Sequence, residues 1–278
     1  MEKLLKSGIF LMVMTLTLGP TLVHSFNSAT HIYIVEQVFQ NCIDKINLYY
    51  GSIAPDLALY VANQDRWLNP FGETHYDYKD LRPYARNSIQ KAFAKGWLTH
   101  NEEWGADHYA HIEYPIQSDS SGKGYVIEKA EYLSSQTGLD PEFAHFVIEV
   151  AIDLLLKNDD PKLGEKLLGA NLLRSRQDRN LLANVLVWQE RRTDWVTLAS
   201  AELTFRNLVG RYAMAFALPS PYDKYALADL GVKLAEEMYG ITTVTEDQLL
   251  YILETALNLC SDYKGIIDAA IQGINQNK

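Results

Sequence analysis

Between Thr30 and Tyr50 the apolar positions Ile32, Ile34, Val35, Val38, Phe39, Ile43, Ile46 and Leu48 recur at helical spacing, which predicts one helix with Gly51 as its C-cap. Pro55, Pro70 and Pro83 then interrupt the pattern, so regular structure in residues 52–83 must be short and broken. Helical periodicity resumes from Tyr84 to His111, with Gly96 and Gly105 as weak points, and "QSDSSGKG" at 117–124 reads as a surface loop. Asp140 and Pro141 are placed as the N-cap and first residue of a helix running through Leu156. Further helices are predicted over 162–172, 176–191, 194–217, 222–239, 246–260 and 262–274. Alternating runs bounded by turn residues are missing, "ITTV" at 241–244 is too short for a strand, and no heptad persists. The pattern predicts an all-α fold, an irregular multi-helix bundle.

Composition modifies this picture at the amino end. Lys3 and Lys6 precede an apolar run from Ile9 to Gly19, and small or β-branched residues stand at Val23 and Ser25, the layout of a secretory signal peptide cleaved after Ser25. An uncleaved anchor is the alternative, but the run falls well short of the ~20 residues that span a bilayer. The expected organisation is a leader over 1–25, a helical core over 26–157 and C-terminal helices over 158–278 packed on that core, in a secreted or periplasmic protein. Cys42 and Cys260 have two readings in an exported chain, one disulfide or two small buried residues. The formal net charge of −10 becomes more acidic when the leader takes Lys3, Lys6 and Glu2 with it, which weighs against a nucleic-acid partner.

The candidate chemistry begins in "GWLTHNEEWGADHYAH", Gly96 to His111. On a continuous helix, His100, Asp107 and His111 fall within about 40° of one another, whereas His108 is rotated about 80° from His100. Such a face suits metal ligation, and it equally suits a polar face open to water. A second pair at i, i+4, His145 and Glu149, lies in "EFAHFVIEVAIDLLL", where the apolar surroundings predict burial. Buried ionisable groups need a partner or a metal, so this pair is either a ligand set or a His–Glu hydrogen bond within the core. Asp153 is a cap for neighbouring polar groups or an acceptor that orients a ligand. His31, Asp56 and His75 complete the donors, and with His24 in the leader and His108 set aside they account for every remaining histidine. Histidine and carboxylate without thiolate suit zinc. No "HExxH", P-loop, dinucleotide-binding glycine pattern or "GxSxG" elbow occurs.

The ordered set "FNSATH", "GSIAPD", Thr74-His75, "GWLTHNEEWGADHYAH" and "HFVIE" resembles the zinc-dependent phospholipase C family, which is related to the zinc-dependent single-strand nucleases; it covers residues 26–157. The resemblance implies an α-helical fold with up to three zinc ions. One would be held by Asp56, His75, His100 and Asp107, a second by the terminal amine and carbonyl of Phe26 with His31 and a bridging Asp107, and the third by His111, His145 and Glu149. It further implies phosphodiester hydrolysis, foremost of a phospholipid to diacylglycerol and a phosphorylated head group with peripheral membrane contact, with Asp56 as candidate proton acceptor from the attacking water. A nuclease or other phosphodiesterase is the alternative, and a non-catalytic zinc-stabilised binding protein belongs to a different class. Three departures stand out: phenylalanine replaces the family's usual terminal tryptophan, three more residues separate His100 from Asp107 than the usual i, i+4, and the interval from Asp107 to His111 is shorter than in the best-known phospholipases. Trp67, Phe71, Tyr76, Tyr78 and Trp104 could line a pocket, stack on bases or simply pack.

Overall fold

The computed structural model describes residues 27–62, 65–112, 123–240 and 242–278. The leader expected over 1–25, Phe26 and most of the loop expected over 117–124 lie outside the described residues. Within them the protein is all-α, with thirteen α-helices and no strand. These are α1 (Ser28–Val38), α2 (Lys45–Ile53), α3 (Pro70–His75), α4 (Ser88–Leu98), α5 (Ala106–His111), α6 (Tyr125–Thr137) and α7 (Pro141–Asp159). They continue as α8 (Leu163–Leu173), α9 (Arg176–Leu182), α10 (Trp195–Phe216), α11 (Tyr222–Tyr239), α12 (Glu246–Leu259) and α13 (Lys264–Asn277). A 3-10 turn at Ala54–Tyr60 follows α2, a second spans Arg82–Tyr84, and a π-helical turn at Ala183–Gln189 extends α9.

The segment 30–50 is two helices rather than one. Phe39 and Ile43 continue the apolar spacing, but Ile43 is 99% exposed, so its place in the periodicity is accidental. The chain turns there because local bonds compete with the helix. The Lys45 ammonium donates to Phe39 O, and Asp44 caps α2 by accepting from Asn47 N. Gly51 lies inside α2 and is not a cap. The Asp140–Pro141 start of α7 is as the sequence predicts, Asp140 accepting from Glu142 N at 2.9 Å, and α7 runs three residues past Leu156. Helix α6 has only four buried positions, Tyr125, Val126, Ala130 and Leu133, too sparse a stripe to stand out in the sequence.

One core joins the two halves of the chain. Helix α2 packs on α4, α6 on α7, and α1 on α2 and α8. From the second half, α10 covers the 3-10 turn and α8, α12 lies on α7, and α13 reaches back to α1 and α5. Trp67, Trp97, Tyr50, Tyr125, Phe93, Phe205 and Phe216 are the largest side chains fully inside. Cys42 and Cys260 are both free thiols, and burial pushes the Cys260 thiol up to about 12. No described helix is long and apolar enough to cross a membrane.

Candidate metal centre

Each donor is delivered by a different local device. His31 stands on the first turn of α1, whose N-terminus is fixed from α7. Asp153 accepts from Ala29 N at 3.3 Å, Thr30 N at 2.7 Å and Thr30 Oγ1 at 2.6 Å, and also from the Tyr212 hydroxyl at 2.7 Å. Asp153 therefore acts as a cap supplied by another helix, which satisfies the otherwise orphaned amides of a helix start. Burial pushes its carboxyl up to about 6, and the bonds from Thr30 and Tyr212 limit the rise. Asp56 follows Pro55 in the 3-10 turn, His75 closes α3, Asp107 and His111 lie on α5, and His145 and Glu149 on α7.

His100 does not share a helix with Asp107. Helix α4 ends at Leu98, and residues 99–105 form a loop built around Asn101, whose side-chain oxygen accepts from the amides of Glu103, Trp104 and Gly105. An asparagine that gathers three amides competes successfully with helix continuation. The three residues by which this interval exceeds i, i+4 are thus taken up in a loop. His100 and Asp107 still meet, across the backbone bond from Asp107 N to His100 O at 3.3 Å.

Four donors converge most tightly. His100 Nδ1 lies 2.7 Å from Ser52 O, and His75 Nδ1 lies 3.1 Å from Phe71 O. A carbonyl can only accept, so the proton of the His100 ring sits on Nδ1 and its Nε2 carries a lone pair, whereas His75 Nδ1 also lies 2.7 Å from the Thr74 hydroxyl, which can donate or accept. The Nε2 atoms of the two rings are 3.1 Å apart. Asp56 Oδ1 is 3.2 Å from His100 Nε2 and 3.5 Å from His75 Nε2, and Asp107 Oδ2 is 3.2 and 3.6 Å from the same atoms. Ligands at about 2.0–2.1 Å on a tetrahedral zinc stand roughly 3.3 Å apart, so these separations fit the edges of such a site. Burial lowers His75, which favours its neutral ring. Asp107 extends the centre with its other oxygen, Oδ1, 3.3 Å from His31 Nε2, and the His31 and His100 rings stack at 4.1 Å. Lone pairs and carboxylates concentrated in a dry interior repel unless a cation lies among them, and such a donor set can hold a metal ion.

A second cluster adjoins the first. His145 Nε2 is 2.8 Å from Glu149 Oε1, and the His111 and His145 rings are 5.3 Å apart. Burial pushes Glu149 well above the usual carboxylate range, with His111 opposing and Asp56 and Asp153 adding to the rise. The ligand atoms of His31, Asp56 and His100, of His75, His100 and Asp107, and of His111, His145 and Glu149 each lie within 4.8 Å of one another. Every described residue that the resemblance names as a metal ligand thus falls in one of these three groups. His108 stays outside these groups and places Nδ1 3.1 Å from Glu102 O.

Sequence reasoning missed Glu102, a buried carboxylate whose Oε1 is 2.6 Å from His111 Nδ1. The signal was present as an acid two residues after His100, hidden among neighbours that are ordinary loop residues. The aromatic residues divide by role. Phe71 stacks on His75 at 3.8 Å, Trp67 is buried and donates to Glu73, Tyr78 meets Trp104 edge-on, and Tyr76 is 55% exposed. The chain matches no protein-family model, no curated protein and no solved structure.

Proposed function

We propose that the protein is a zinc-dependent phosphodiester hydrolase, foremost a phospholipase C that releases diacylglycerol and a phosphorylated head group. Asp56, His75, His100 and Asp107 would hold one zinc, Phe26, His31 and bridging Asp107 a second, and His111, His145 and Glu149 the third. The observation that carries this is the acceptor-rich ring of Asp56, His75, His100 and Asp107, with donor separations of 3.1 to 3.6 Å. When bound, neighbouring zinc ions lower the pKa of water and neutralise charge gathering on phosphoryl oxygens.

The chain's own residues support a direction of approach. Within the ring the side chains of His75, His100 and Asp107 are 0% exposed while that of Asp56 is 11% exposed, so Asp56 marks the wet side. A carboxylate there is placed to take a proton from an incoming water. Leu68, Tyr76 and Trp188 are exposed on stretches held together by Lys79–Glu190 at 2.7 Å and Arg192–Asp77 at 3.3 Å, which suits peripheral contact with a lipid surface. The acidic net charge of −10 favours lipid over nucleic acid. Export and cleavage after Ser25 would free the Phe26 amine, and so a secreted or periplasmic location belongs to the same proposal.

The test is to load the mature chain with zinc and offer it phosphatidylcholine, single-stranded DNA and a generic phosphodiester, each with and without chelator. Chelator-sensitive release of diacylglycerol is expected. Cleavage of DNA but not lipid would replace the phospholipase by a nuclease. No turnover on any substrate, with unfolding on chelation, would leave a zinc-stabilised binding protein.

A further inference from the structure

The Glu102–His111 contact leaves two atoms whose situation is unusual. Glu102 is 2% exposed; one of its oxygens is 2.6 Å from His111 Nδ1, and the other, Oε2, is buried without a hydrogen-bond partner. A carboxylate oxygen accepts, so the His111 proton sits on Nδ1. Nε2 is then a bare lone pair, and it too is buried and has no hydrogen-bond partner. His111 belongs to the group whose remaining members are His145 and Glu149. An orphaned acceptor of this kind is costly in a protein interior unless a cation meets it.

We infer that Glu102 is the positioning residue of this cluster: it locks His111 in the tautomer that offers Nε2 to a metal, and it adds a second negative charge beside a group with one carboxylate, Glu149. This rests on the zinc proposal above, and it assigns a role to a residue outside the ligand sets. Glu102 is itself held from three sides. Its amide donates to His75 O at 3.0 Å, its carbonyl faces His108 Nδ1 at 3.1 Å, and its loop is fixed by Asn101. The same residue therefore ties the backbone at His75, in the first cluster, to the side chain of His111 in the second. Carboxylates behind metal-bound imidazoles raise ligand basicity and fix ring orientation, and their removal typically weakens metal binding by about 10–100-fold.

Two measurements test it without recourse to activity. In the metal-free wild-type chain, ¹⁵N-edited NMR of the imidazoles should show His111 as the Nδ1–H tautomer; an Nε2–H tautomer overturns the inference with no variant needed. Zinc titration with a competing chelator should then show the isosteric Glu102→Gln variant losing affinity for one ion by about 10–100-fold while its other ions bind as in wild type. The melting temperature of the metal-free Glu102→Gln variant should stay within a few degrees of wild type, since the substitution keeps size and an acceptor. Wild-type affinity for every ion in Glu102→Gln overturns the charge contribution of Glu102, as an Nε2–H tautomer overturns its orienting one, and leaves the zinc proposal standing. A wild-type chain that takes up no zinc overturns both.

Discussion

At the scale of single residues, burial decides what each carboxylate can do, and the clearest case lies away from the candidate metal centre. Asp178 on α9 is 0% exposed and neither of its side-chain oxygens has a hydrogen-bond partner. Burial pushes its carboxyl up to about 8; Arg174 opposes this, while Asp44 and Glu202 add to it. Arg174 is engaged elsewhere, paired with Glu202 and stacked over the Tyr50 ring. The folded value lies above the unfolded one, so folding favours the protonated acid. Its contribution to stability is fully present below about pH 4 and is lost as pH rises through about 8. Over that window one such proton changes stability by at most about 1.4 kcal/mol per pH unit. Asp178→Asn cannot ionise and should gain on wild type progressively from pH 5 to pH 8, read as the difference between urea midpoints. Parallel pH profiles for the two proteins would rule out this account of Asp178.

At the scale of elements, the centre depends on two helices that touch through glycine. A Cβ on Gly96 of α4 would stand 2.1 Å from Leu48 O and 2.7 Å from Ser52 N on α2, and one on Gly51 would stand 2.2 Å from Phe93 O. Those atoms are backbone and cannot step aside. Ser52 also supplies the carbonyl that orients His100, so separating the helices withdraws the support of a donor. Gly96→Ala should therefore destabilise by about 1–3 kcal/mol and lower metal uptake together. Gly169→Ala is the matched control: its Cβ meets only the end of the Ile46 side chain at 3.3 Å, and alanine should be neutral or favourable by up to about 1 kcal/mol in a helix. Denaturation and metal analysis of both variants check this, and equal behaviour would refute a backbone contact between α2 and α4. These helices also show what the sequence could convey. Long stretches with dense apolar stripes, such as α7 and α10, were legible because hydrophobic spacing and caps agree. The break at 39–44, the loop at 99–105 and the sparse helix α6 were not. Each is set by side-chain bonds or by packing partners distant in sequence, while local spacing runs on through the breaks. Gly96 and Gly51 looked like a weak point and a cap because nothing local says that another helix lies against them.

At the scale of the whole molecule, the donors were legible as types and as an ordered set, but their convergence belongs to the tertiary structure. His31 is placed by an aspartate more than a hundred residues away, His75 by a short helix between two irregular turns, and His111 by a carboxylate on a neighbouring loop. The fold thus concentrates Asp56, Asp107 and Glu149, all buried, in a small volume with five imidazoles, those of His31, His75, His100, His111 and His145. Without cations this concentration opposes folding, and cations held there would support it, because ions that bind only the native arrangement stabilise it by mass action. A ligand held at about a thousand times its dissociation constant contributes about 4 kcal/mol. For a chain of this size each 1 kcal/mol moves the melting temperature by about 2–4 °C. Chelation should accordingly lower the melting temperature by on the order of 10 °C, and readdition of zinc should restore it. Differential scanning calorimetry with parallel metal analysis checks this. A chain stripped of metal that melts at the same temperature as the loaded one would mean that the donors do not share ions in the folded state. Calcium or magnesium in place of zinc should give little recovery, since imidazole-rich sites serve those ions poorly.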